Sequence, residues 1–215
     1  MFLWVLGELA LRRGLGPLLA PPLGSPIAAD MALIAVGFPV LAGVLAWVGR
    51  RHGIDRPDWD YEFSAKTVGL GVAGVVAYFV ALVGVLLVML LVGFDPETGI
   101  PAGVGTTAMA TWVVALLLVV NGVVVPIAEE LAWRGVIQTA LMDSWGVLAG
   151  SAVAATGFVL KHVIVDMGAP PIRLASLVIL AVIFSALRAR WGTGASTVAH
   201  LGANLLATGM SVVTL

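Results

Sequence analysis

From Thr67 to Phe94 the chain runs for 28 residues without a charged side chain. A helix needs about 20 apolar residues to cross the hydrocarbon core of a bilayer, so this run spans with some tilt. Inside lipid, every backbone polar group must be paired internally, which leaves helices and closed barrels as the available structures. The uncharged runs at Met31–Gly49 and Thr106–Val125 repeat the pattern, and Ile172–Arg190 and Ser196–Leu215 are nearly as apolar. Only 11% of the residues are charged, against roughly 25% in a soluble domain. The expected fold is all-α, a polytopic transmembrane helix bundle of six to seven spans.

Residues 1–30 read as an interfacial or short helical segment followed by a linker, with three prolines between Ala20 and Ala29. Met1–Leu11 lacks a basic start and carries Glu8, so no cleaved signal peptide is expected. The bundle itself is expected over 31–215. Arg50–Lys66 is the one strongly polar stretch, and Asp95–Gly103 reads as a turn. Basic residues cluster in the first and are absent from the second, which predicts a cytoplasmic 50–66 loop and an external 95–103 loop. Asp143-Ser144 is a candidate cap for the helix that runs to Val165. The arginines ending the Ile172–Arg190 span are expected to snorkel. With no cysteine, thiol nucleophiles and zinc thiolates are excluded. A net charge of −1 gives no field for nucleic acid, and none is expected as a partner.

Against that apolar background stand three polar clusters: Glu129-Glu130-Leu-Ala-Trp-Arg134, Phe158-Val-Leu-Lys-His162 and His200-Leu-Gly-Ala-Asn204. An ionisable group inside a span costs at least a few kcal/mol, roughly, and so is rarely present without a role. Glu130 and Arg134 are four apart and can pair on one helix face. Glu129 is rotated away from that face and lacks a local partner, which suits a general base. Phe158 lies one turn before His162 and can hold its ring. His200 and Asn204 share a face flanked by Ala199, Gly202 and Ala203, small enough to admit another helix. Two donors on one face can hold a water, a metal or a developing oxyanion. A buried staple for Glu130 and Arg134, and interhelical hydrogen bonds for the histidines and Asn204, explain each cluster singly. Lys161 is expected to snorkel away. Asp166 is better placed as a helix-end charge than as a partner of His162, and Asn121 as an interhelical hydrogen-bonding group. Trp133 could wall the site.

At these residues the chain resembles the CPBP family of intramembrane proteases (CAAX protease and bacteriocin-processing, or Abi), recognised by Glu-Glu-x-x-x-Arg, Phe-x-x-x-His and His-x-x-x-Asn/Asp on successive helices. The order is the same here, and the resemblance covers about 106–215. It implies an intramembrane endopeptidase, similar to type II CAAX prenyl endopeptidases, or else a non-catalytic self-immunity protein on the same fold. An ion or proton transporter is the alternative from the residues alone. By resemblance, Glu129 and His162 activate water, His200 and Asn204 stabilise the oxyanion, and Glu130, Arg134 and Phe158 support the site. The implied partners are membrane lipid and a peptide or protein substrate, prenylated in the CAAX branch. The implied location is the cell membrane of a prokaryote. Members have been called metalloproteases; Glu129, His162 and His200 would then be the zinc ligands. A metal-free glutamate mechanism fits the same residues. Gly192–Gly194 is expected to break the chain before the last helix, and with helix starts at Ser144 and Gly194 a straight count sets His162 and His200 roughly 18 Å apart in depth, so their convergence requires a tilted or short Ile172–Arg190 helix or staggered helix starts.

Overall fold

A computed structural model describes residues 1–55, 57–94 and 110–213 of the chain. Among these residues the regular structure is entirely helical. Helices α1 (Phe2–Leu9) and α2 (Gly16–Leu23) are joined by a π-helical turn. Then follow α3 (Pro26–Arg51), α4 (Ala65–Leu91), α5 (Thr111–Trp145), α6 (Val147–Val165) and α7 (Pro171–Val213). The five helices from α3 to α7 are each long and apolar enough to cross a membrane. Because α7 breaks at Gly192, it supplies two segments, and the described residues then contain six. The Asp95–Gly103 turn and the start of the third span at Thr106 lie outside the described residues, as do Arg56 and Leu215.

The outer face of α4 shows the lipid-facing logic. Val68, Val72, Val76 and Val80 recur every four residues and are all exposed. Its inner face carries Gly71 and Gly74, which let α4 close onto Ala195, Val198 and Ala199 of α7. Without a hydrophobic drive between helices in lipid, such small-residue contacts supply the packing. Gly202 meets Val75 in the same way, as its small neighbours predicted. The largest core cluster gathers Trp4, Phe38, Trp133 and Phe158; a second gathers Tyr78, Phe184, Leu187 and Ala199.

Several local expectations need correction. The proline-rich stretch is no linker: Pro21 and Pro22 lie within α2, and Ser25 caps α3 through the backbone N–H of Ala28 at 3.2 Å. Proline at a first helical turn costs no intrahelical bond, so α3 starts at Pro26. Asp143 and Ser144 lie within α5, and Gly146, at φ 79°, makes the turn into α6. Arg188 does not snorkel. It is buried, donating to the carbonyls of Arg134 and Asp58 and to the hydroxyl of Thr139, at 3.1, 2.7 and 2.8 Å.

The break in α7 falls where the depth count placed it, and α6 starts at Val147 rather than Ser144, which shortens the offset. Gly192 adopts φ 86°, ψ 168°, a conformation that glycine reaches without steric cost. The turn docks on the 57–64 loop, with Thr193 N–H donating to the Asp60 carbonyl at 2.9 Å. The second half of α7 therefore begins at the loop end of the bundle, as does α6. His162 lies fifteen residues beyond Val147, roughly 22 Å along α6, and Asn204 twelve beyond Gly192, roughly 18 Å. His200 lies one turn nearer that end, roughly 12 Å along, so the two histidines are offset by roughly 10 Å, and both line one cavity.

Candidate active site

Helix α5 does not keep α-helical bonding through the first cluster. Val120–Val124 and Glu130–Gln138 are π-helical, on either side of Pro126. Proline has no N–H to donate, and π-type turns are a usual way for a helix to absorb such a defect, frequently at functional sites. Glu129 and Glu130 stand at the edge of the second π segment and are 2% and 0% exposed.

Both glutamates reach His200. The carboxylate of Glu130 accepts from Nδ1 at 3.0 Å through Oε1. Glu129 Oε2 stands 3.9 Å from Nε2, beyond direct hydrogen-bond range. Adjacent side chains diverging from one helix thus bracket an imidazole from the facing helix. The ring is also stacked on Phe184, centroids 4.6 Å apart, with Phe158 edge-on at 6.1 Å. A carboxylate bound to Nδ1 fixes the ring's orientation and presents Nε2 to the cavity.

His162 is held differently. Its Nδ1 lies 2.9 Å from the backbone carbonyl of Phe158, which can only accept, so Nδ1 carries the proton. In the neutral ring Nε2 is then an acceptor. The Phe158 ring packs edge-on against this imidazole at 4.8 Å. Phe158 therefore supports the site twice, through its ring and its carbonyl. Asn204 donates to the backbone carbonyl of Asn121 at 2.9 Å, and Asn121 donates to Thr208 at 2.7 Å. Glu129, His162, His200 and Asn204 line one cavity of about 230 Å³, together with Asn121 and Phe158. Tyr78 and Ser176, bonded to each other at 2.8 Å, close part of its wall.

Arg134 is fully buried, with Nε 3.9 Å from Glu130 Oε2. Its guanidinium lies over the Phe158 ring at 4.5 Å, and Trp133 meets the same ring edge-on at 5.6 Å. Asp166 pairs with Arg12 at 3.1 Å and with Arg173, not with His162.

The expectation for Lys161 is overturned. It does not snorkel: it is 1% exposed and forms an ion pair with Glu129 Oε1. Glu129 is therefore not the unpaired carboxylate that the helix spacing implied. Glu8 of α1, also 1% exposed, is the second partner of Lys161, at 3.2 Å. Reading one helix at a time hid this pairing, because it spans three helices. A charge count offered a signal: two glutamates and Arg134 leave one buried negative charge, and Lys161 is the next cation in the core. Phe184 was missed because a stacking ring has no motif.

Residues 111–206 match the family model for type II CAAX prenyl endopeptidase Rce1-like proteins. The Rce1-like stretch contains all three polar clusters, in agreement with the CPBP resemblance, and it ends two residues after Asn204. No curated protein and no solved structure matches the chain. Its apolar helices and the Rce1-like match support an integral membrane protein that is similar, over residues 111–206, to a family of proteases.

The donors do not meet as a metal site. Among the described residues no three His, Asp or Glu groups converge closely enough to hold an ion. Lys161 already holds Glu129 Oε1, where a cation would have to displace it. The geometry of Glu129, His162 and His200 thus does not fit the three-ligand zinc arrangement.

Proposed function

We propose that this protein is an intramembrane endopeptidase that hydrolyses a peptide bond near the membrane surface, in the manner of CAAX C-terminal processing. The observation that carries this reading is the convergence of Glu129, His162, His200 and Asn204, from three helices, on one cavity. With Oε1 of Glu129 held by Lys161, Oε2 is the oxygen left for proton transfer.

The charges around the site are Glu8, Glu129 and Glu130 with Lys161, Arg134 and Arg12, the last 3.5 Å from Glu8. The catalytic role proposed for His200 needs both ring nitrogens as donors, Nδ1 to Glu130 and Nε2 toward the cavity. In this reading a water attacks the scissile carbonyl carbon and gives a proton to Glu129 Oε2 or His162 Nε2. His200 and the free amide hydrogen of Asn204 donate to the oxyanion as the tetrahedral intermediate forms. Collapse breaks the C–N bond, and the amine leaves with the proton held by the base. Glu130 orients His200, and Arg134 balances Glu130 over the Phe158 ring.

The substrate class is a membrane-associated peptide or protein with a prenylated C-terminus, and the location is the cell membrane of a prokaryote. Glu129→Gln should lower cleavage of a fluorogenic prenylated CAAX peptide by about 10²-fold or more, the scale of lost acid–base catalysis, while the protein stays folded. Undiminished cleavage sinks the role. A Glu129→Gln protein that keeps its full effect in cells would favour the non-catalytic reading, and ion flux in proteoliposomes without peptidase activity the transporter reading.

A further inference from the structure

Lys161 has more negative charge around it than a simple ion pair needs. Its ammonium contacts Glu129 of α5 and Glu8 of α1, and the Phe158 and Phe38 rings lie 5.3 and 5.8 Å away. Glu8 is itself fixed. Trp4 Nε1 donates to its Oε2 at 2.9 Å, and Arg12 lies 3.5 Å from its Oε1. Trp4 is fully buried in the core cluster that also contains Phe38 and Phe158. One carboxylate would suffice to neutralise a buried lysine; the second fixes where the ammonium sits. That position in turn decides which oxygen of Glu129 is occupied and which faces Nε2 of His200.

We propose that Glu8 is a positioning residue for Glu129, acting through Lys161. The N-terminal helix thereby completes a site whose other members all lie within 111–206. The catalytic consequence rests on the peptidase reading above; the physical link does not. A displacement of about 1 Å at a reacting group can cost on the order of 10²-fold in rate, so a two-step positioning chain is enough to matter.

The test has two arms. In the first, the full chain in detergent is compared as wild type, Glu8→Gln, Glu129→Gln and the double variant by thermal unfolding. Each single change leaves Lys161 one carboxylate, and only the double leaves a buried ammonium with none. The double variant should therefore lose more than the sum of the singles. Additive losses overturn the link. In the second arm, Glu8→Gln should lower kcat on the fluorogenic prenylated CAAX peptide by about 10-fold with KM within about twofold, and Glu8→Asp should recover part of the loss. Unchanged kcat in Glu8→Gln overturns the positioning role. Should the wild type cleave no peptide, the peptidase reading falls, and the thermal cycle still decides whether Glu8, Lys161 and Glu129 act as one unit.

Discussion

Replacing Arg134 by methionine tests whether the buried charges are held as a balanced set. Arg134 and Glu130 are both 0% exposed, and Nε and Oε2 are 3.9 Å apart. At that distance and an effective dielectric constant of about 20, their attraction is about 4 kcal/mol. Contact with the Phe158 face adds on the order of 1 kcal/mol. Methionine fills similar volume, so the loss is chiefly electrostatic: Glu130 stays buried with its hydrogen bond from His200 but without the guanidinium, a change that typically costs about 3–5 kcal/mol. For a chain of this size that corresponds to a fall of about 10 °C in the unfolding midpoint. The double variant Glu130→Gln/Arg134→Met removes one charge of each sign and keeps an acceptor for Nδ1 of His200. Replacing both members of a buried pair is often close to neutral, so the double should recover to within about 1–2 kcal/mol of wild type. The assay is thermal unfolding in detergent, followed by circular dichroism, for the three proteins. A double variant no more stable than Arg134→Met alone would refute the reasoning, and so would an undisturbed single variant.

Three further outcomes follow from the geometry. Gly192→Ala places a Cβ against Asp60 at a φ of 86°, so it should destabilise the α7 turn by about 1–3 kcal/mol and lower cleavage by disturbing the half-helix that carries His200; undiminished stability by thermal unfolding would show the turn to be permissive. Burial pushes the Tyr61 phenol up to about 12, the hydrogen bond to Thr197 opposes this, and Glu130 adds to the rise. Its folded value lies above the unfolded one, so this contribution to stability is full below about pH 10 and is lost as pH rises through about 12, a component that Tyr61→Phe should remove from the pH dependence of unfolding. Phe184→Leu removes the ring stacked on His200 and should lower kcat with little change in KM; an unchanged kcat would make the stacking incidental.

The bundle was legible because uncharged runs of this length have few physical alternatives in lipid. The three clusters were legible because polar residues are costly there. Glu130 with Arg134, and Phe158 with His162, sit one turn apart on single helices, so spacing alone pairs them correctly. The break at Gly192–Gly194 was also readable from the glycines. What one-dimensional periodicity misses is whatever comes from another helix. It placed Lys161 at the interface and Arg188 in the headgroups, because a cation on an apolar helix ordinarily reaches outward. Both turn inward instead, toward acceptors contributed by elements distant in sequence: Glu8 and Glu129 for Lys161, and the carbonyls of Asp58 and Arg134 for Arg188.

Pairing across helices narrows what one-helix reading leaves open. Glu8 is shared between Lys161 at 3.2 Å and Arg12 at 3.5 Å, and Lys161 passes that contact on to Glu129. Glu130 in turn holds the Nδ1 side of His200 at 3.0 Å. The N-terminal helix therefore bears on the site through the position of Glu129, a route that no periodicity within a single helix can show.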